Sequence, residues 1–129
     1  MKTKIKKTGL FFMQFLWVVL LCANVAFANK ASVAIEAPAE VTKGTEITIR
    51  VTVDHSANNV FHHVEWVQLS VNNTQVAYWQ YSAFDLPPGA TFTKEIKYLV
   101  NENTEIRAEA SCNLHGSAGP GFLKIVIKE

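Results

Sequence analysis

Residues 45–54 read "TEITIRVTVD". Ile47, Ile49, Val51 and Val53 fall on alternate positions, and Thr48, Arg50 and Thr52 fill the positions between them. A period of two with β-branched residues on both faces is the pattern of a half-buried strand, since successive side chains of a strand point to opposite faces. No segment of the chain sustains a helical period. The same pattern predicts seven strands, at about 32–36, 45–54, 62–71, 74–81, 91–100, 104–111 and 121–128. Between them, Asn72-Asn73 and "NENT" at 101–104 have the composition of tight turns, and "SAFDLPPGA" at 82–90 that of a longer loop. Seven short strands in about one hundred residues predict an all-β, immunoglobulin-like antiparallel sandwich. "NNT" at 72–74 also has the form of a glycosylation acceptor, but its place between two strands favours a hairpin turn. Trp66 and Trp79 are expected to fill the core or its edge.

The first 28 residues differ in kind. "MKTKIKK" is basic, residues 10–21 are apolar, and Ala26-Phe27-Ala28 has the small-x-small form of a signal peptidase site. The expectation is a cleaved export signal over 1–28 and one domain over 29–129, periplasmic or secreted, with no stable membrane insertion after cleavage. Cys22 follows a leucine, a poor fit to a lipid-modified leader. Without the leader's four lysines, the chain's 12 basic residues fall to 8 against 11 acidic ones, a net charge near −3 that argues against nucleic acid as a partner. Cys112 is then the only cysteine, so no internal disulfide can form. A lone exported thiol is a liability unless it is buried or bound to a metal.

If the strands run up and down, the connections 55–61, 82–90 and 112–120 gather at one end, together with the start of the first strand. His55 continues the inward parity of Ile47 to Val53, and Cys112 that of Ile106, Ala108 and Ala110. His62 and His115 belong to the same rim. Three imidazoles and one thiolate suit Fe, Cu or Zn and disfavour the hard cations Ca and Mg. His63, by strand alternation, is expected to turn away from His62 onto the surface. A nucleophilic cysteine enzyme is disfavoured, because no helix N-terminus is at hand to stabilise the thiolate.

"HHVEWVQL" at 62–69 is similar to the histidine-aromatic-Ile-Glu-Trp-Ile segment of the desulfoferrodoxin and superoxide reductase iron-binding domain, and "CNLHG" at 112–116 to its Cys-Asn-(Leu or Ile)-His-Gly signature. The resemblance implies an immunoglobulin-like fold and a mononuclear, non-haem iron with equatorial histidines, here His55, His62 and His115, and an axial cysteine, here Cys112. It further implies reduction of superoxide to hydrogen peroxide or electron transfer, with superoxide or a redox protein as partner. The family's remaining histidine lies in a Glu-Lys-His segment, and the register over "NKASVAIE" sets Lys30 at the lysine, a candidate catalytic group, and Ala31 at the histidine. The gap from His55 to His62 is one residue longer than the family's usual gap, and Ser56 replaces a proline. "CNLHGSAGPG" also resembles the copper loop of cupredoxin electron carriers, with Pro120 where a methionine would stand. A closed His3Cys zinc module without redox chemistry is the third alternative.

Overall fold

The computed structural model describes residues 30–129; the expected leader, its cleavage after Ala28, and Cys22 lie outside the described residues. The described chain forms eight strands: β1 (Ser32–Glu36), β2 (Glu40–Thr42), β3 (Thr45–Asp54), β4 (Val64–Val71), β5 (Thr74–Gln80), β6 (Thr91–Val100), β7 (Thr104–Cys112) and β8 (Gly121–Lys128). They make two sheets, a three-stranded one in the order β1-β3-β6 and a five-stranded one in the order β2-β8-β7-β4-β5. The all-β sandwich read from the alternation is therefore the fold. Among the described residues no helix is long and apolar enough to cross a membrane.

The structure corrects the sequence reading in two places. β2 is an eighth strand, and it pairs parallel with β8, Val41 opposite Ile127, so the sandwich is not wholly antiparallel. Three residues with one buried side chain, Val41, cannot display a period. The second is the start of β4, at Val64 instead of residue 62, because the chain is still turning at His62 and His63.

The alternation in 45–54 does what its chemistry demands. Ile47, Ile49, Val51 and Val53 are all buried and face Val67, Leu69, Ile106, Ala108 and Ile125 in one apolar core. Each such side chain contributes on the order of 1.5–3 kcal/mol on leaving water. Trp79 packs half-buried against this core, as expected, whereas Trp66 alternates with the buried Val67 onto the other face of β4 and stacks on the exposed Tyr78 at 6.3 Å between ring centroids. Asn72 and Asn73 adopt φ of 47° and 66°, the left-handed pair of a two-residue hairpin, as the composition predicted.

Candidate metal centre

Strand direction sets the site. β3 ends, β4 begins, β7 ends and β1 begins at one rim, where Asn113 N–H donates to the His63 carbonyl at 3.0 Å and His55 N–H donates to the Ala90 carbonyl at 3.0 Å. The inward parity of β3 carries one residue beyond the strand, to His55, which is 3% exposed. That of β7 reaches Cys112, also 3% exposed. These two side chains are the last rung of the core.

His62 completes a group with them. One donor atom from each of His55, His62 and Cys112 lies within 4.8 Å of the others, and no carboxylate joins this group among the described residues. His115 stands at its edge, with Nδ1 3.1 Å from His62 Nε2 and 3.9 Å from Cys112 Sγ. The His62 ring lies edge-on to both other imidazoles, 4.6 Å from His55 and 4.9 Å from His115 between centroids. Around one transition ion, bonds of about 2.0–2.1 Å to nitrogen and 2.3 Å to sulfur put neighbouring nitrogens about 3 Å apart and a nitrogen and sulfur about 3–4 Å apart. The two His115 separations fall in this range, and the His55, His62 and Cys112 donors lie within 4.8 Å of one another. The donor chemistry fits as well, since one soft thiolate and three imidazoles form a set for a borderline transition metal.

The turn that carries two of these donors is closed on itself. Cys112 and Gly116 exchange both backbone hydrogen bonds at 3.0 Å, which leaves Asn113, Leu114 and His115 as its tip. Gly116 sits at φ 75°, where a side chain would be strained. Within the tip, Leu114 N–H points at Cys112 Sγ at 3.4 Å. The spacing Cys-x-x-His thus delivers one buried sulfur and one exposed imidazole from a single turn.

Residue 31 docks against this turn. Ala31 is fully buried; its N–H donates to the Gly116 carbonyl at 3.3 Å, and its carbonyl accepts from Ala118 N–H at 2.9 Å. Lys30 precedes it and is half-buried. Ala31 therefore sits beside the segment that carries His115.

His63 departs from its expected place. It is 6% exposed, its Nδ1 lies 3.0 Å from the Asn59 carbonyl, and it is outside the donor group. Because the strand proper begins only at Val64, and the pairing with β7 shifts between Val64 and Trp66, alternation counted from His62 does not apply.

Three asparagines were not singled out by sequence and prove to frame the site. Asn59 Oδ1 accepts from Phe61 N–H and His62 N–H, both at 2.9 Å. Asn113 Oδ1 accepts from His63 N–H at 2.9 Å while its Nδ2 donates to the Phe61 carbonyl at 3.1 Å, which ties the His62 segment to the Cys112 turn. Asn58 Oδ1 lies 3.3 Å from His55 Nδ1. The available signal was the pair Asn58-Asn59 between two candidate ligands, since asparagine side chains bond nearby backbone in turns.

A model of the desulfoferrodoxin family matches residues 24–117. The chain belongs to the desulfoferrodoxin family. Among solved structures, this desulfoferrodoxin chain is similar to the superoxide reductase (neelaredoxin) of Ignicoccus hospitalis, with 19% identity and a TM-score of 0.64 over 77% of this chain and 82% of that one. It is also similar to a superoxide reductase (neelaredoxin) variant from Archaeoglobus fulgidus, with 17% identity and a TM-score of 0.58 over 78% and 93% of the two chains. The sulfur carrier protein SoxY of Chlorobium limicola shares the fold at 11% identity, with a TM-score of 0.55 over 75% and 79%. Among curated proteins, none matches this chain.

Proposed function

We propose that this desulfoferrodoxin is an exported protein that holds one non-haem iron through His55, His62, His115 and Cys112, and uses it to reduce superoxide or to pass electrons. The observation that carries the proposal is the convergence of one buried sulfur, Cys112, with the imidazoles of His55 and His62 in one donor group, and of a third imidazole, His115, at its edge 3.1 Å from His62 Nε2 and 3.9 Å from Cys112 Sγ. Family membership and the names of two fold neighbours, both superoxide reductases, support the choice of iron.

Bound iron would supply a one-electron change: reduction of superoxide to hydrogen peroxide takes one electron from the site and two protons from solvent. The chain's residues do the rest. The imidazoles would supply the nitrogen donors and Cys112 the soft sulfur, whose Sγ is in contact with Leu114 N–H. Lys30 adds positive charge next to Ala31 at the rim, where it attracts an anion despite the negative charge of the exported chain. Ala31 offers a methyl where the family resemblance sets a histidine, so three imidazoles serve in place of four. With one imidazole fewer, these residues would hold the metal less tightly.

The test is pulse radiolysis of iron-loaded protein. Superoxide should be consumed, Lys30→Ala should slow the encounter and weaken its salt dependence, and Ala31→His should raise iron affinity. A wild type inert to superoxide, with Ala31→His unchanged in affinity and spectrum, would overturn the enzymatic reading and leave electron transfer or metal binding. A second reading follows from the donor count: three imidazoles and a thiolate also complete a closed four-coordinate zinc site. A colourless protein that retains zinc through purification would favour it.

A further inference from the structure

We propose that Asn58 is a positioning residue that fixes His55 as its Nδ1–H tautomer, so that Nε2 is the nitrogen presented to the metal, and that it does so before any metal binds. The inference deepens the metal-binding reading above and rests on it for the role of His55.

The orientation of the Asn58 amide is set by two partners with opposite requirements. Val64 N–H can only donate, and it donates to Oδ1 at 2.8 Å. The Gly89 carbonyl can only accept, and it accepts from Nδ2 at 2.7 Å. Reversing the amide would set donor against donor and acceptor against acceptor. Oδ1 therefore faces His55 Nδ1 at 3.3 Å as an acceptor, and Nδ1 must carry the hydrogen. In the neutral ring the lone pair is then on Nε2. His55 is 3% exposed, so bulk water is not available to take over this role.

The position of Asn58 in the fold explains why the brace is needed. A single side chain joins the end of β3 through His55, the start of β4 through Val64, and the connection at 82–90 through Gly89. The segment between His55 and His62 is the one that runs a residue longer than in the family and has Ser56 in place of a proline. Asn59 performs a different task, since its side chain caps only the backbone of Phe61 and His62. Asn58 touches the imidazole itself. Ring-orienting partners of this kind are worth about 10–100-fold in metal affinity.

The experiment combines long-range 1H–15N correlation spectra of the metal-free protein, at mildly alkaline pH, with titration by ferrous iron. Wild-type His55 should show the Nδ1–H tautomer. Asn58→Ala should populate both tautomers and weaken ferrous iron binding about 10–100-fold. Asn58→Asp keeps an acceptor for both Val64 N–H and His55 and gives up the bond to Gly89. It should therefore retain the Nδ1–H tautomer and most of the affinity while shifting the thiolate-to-iron band of the oxidised protein, because a carboxylate makes the ring a stronger donor. Should Asn58→Ala fail to fold, Asn58→Asp still decides: an Nε2–H tautomer in that variant overturns the proposal. So does an Asn58→Ala protein that keeps the wild-type tautomer and affinity. A wild type that binds no iron, yet loses the tautomer in Asn58→Ala, would uphold the positioning of His55 and overturn the metal reading instead.

Discussion

The two ends of the sandwich are built on different terms. At the far end, β2 and β3 are joined by Lys43-Gly44, β4 and β5 by Asn72-Asn73, and β6 and β7 by residues 101–103. These turns are as short as strand geometry allows and rely on left-handed backbone at Gly44, Asn72 and Asn73. At the near end the connections are 55–63, 81–90 and 113–120. They are long, and side chains hold the segments that carry the donors: Asn58, Asn59 and Asn113 bond across them, whereas the far-end side chains Asn72 and Asn103 bond the backbone of neighbouring strands. The far end closes the fold at minimal length, whereas the near end uses its extra chain to carry donors to one point. Function resides where the backbone is longer than folding requires.

If that division is right, substitutions at the two ends should separate metal binding from stability. The largest effect belongs to Cys112→Ser, which replaces the anionic soft donor with a neutral hydroxyl. Iron affinity, read by competition with a chelator, should fall by more than about 100-fold, beyond the loss typical of a ring-orienting partner, with a small change in denaturant midpoint. Leu69→Ala, in the shared core, should do the opposite: a loss of about 2–5 kcal/mol in urea unfolding, with the metal spectrum retained wherever the protein is folded. Gly116→Ala and Asn73→Ala both set an alanine in left-handed backbone, at about 1–2 kcal/mol each. Only Gly116→Ala, which distorts the Cys112 turn, should also weaken metal binding; an equal effect from Asn73→Ala would break the comparison. The smallest effect is expected for Glu105→Gln at the far end, where the exposed pair with Lys124 spans 4.0 Å and contributes about 0–1 kcal/mol.

How far the sequence displayed all this depended on whether a residue's role was periodic. The period of two in 45–54 exposed β3 and, continued by one step, His55. The same parity in β7 exposed Cys112. Both followed because burial alternates along a strand with little regard for what surrounds it. β2 was hidden because three residues cannot show a period and because its partner, β8, lies more than eighty residues away. His63 was misplaced for a related reason: periodicity was extended into a segment that has not yet become a strand, and the chain there is fixed by Asn113 and Asn59. The pair Asn58-Asn59 marked a turn between two candidate ligands, but the role of Asn58 depends on a coincidence in space of a ring, an amide and a carbonyl from three segments. No local pattern encodes that.

In the proposed site, the near end holds one iron through Cys112 and three imidazoles. The sharpest test is metal analysis of the protein as isolated, with its oxidised optical spectrum recorded beside that of Cys112→Ser. The proposed site should give about one iron per chain and a thiolate-to-ferric absorption in the red that vanishes in Cys112→Ser. A colourless protein containing zinc, or a band that survives the loss of Cys112, would contradict it.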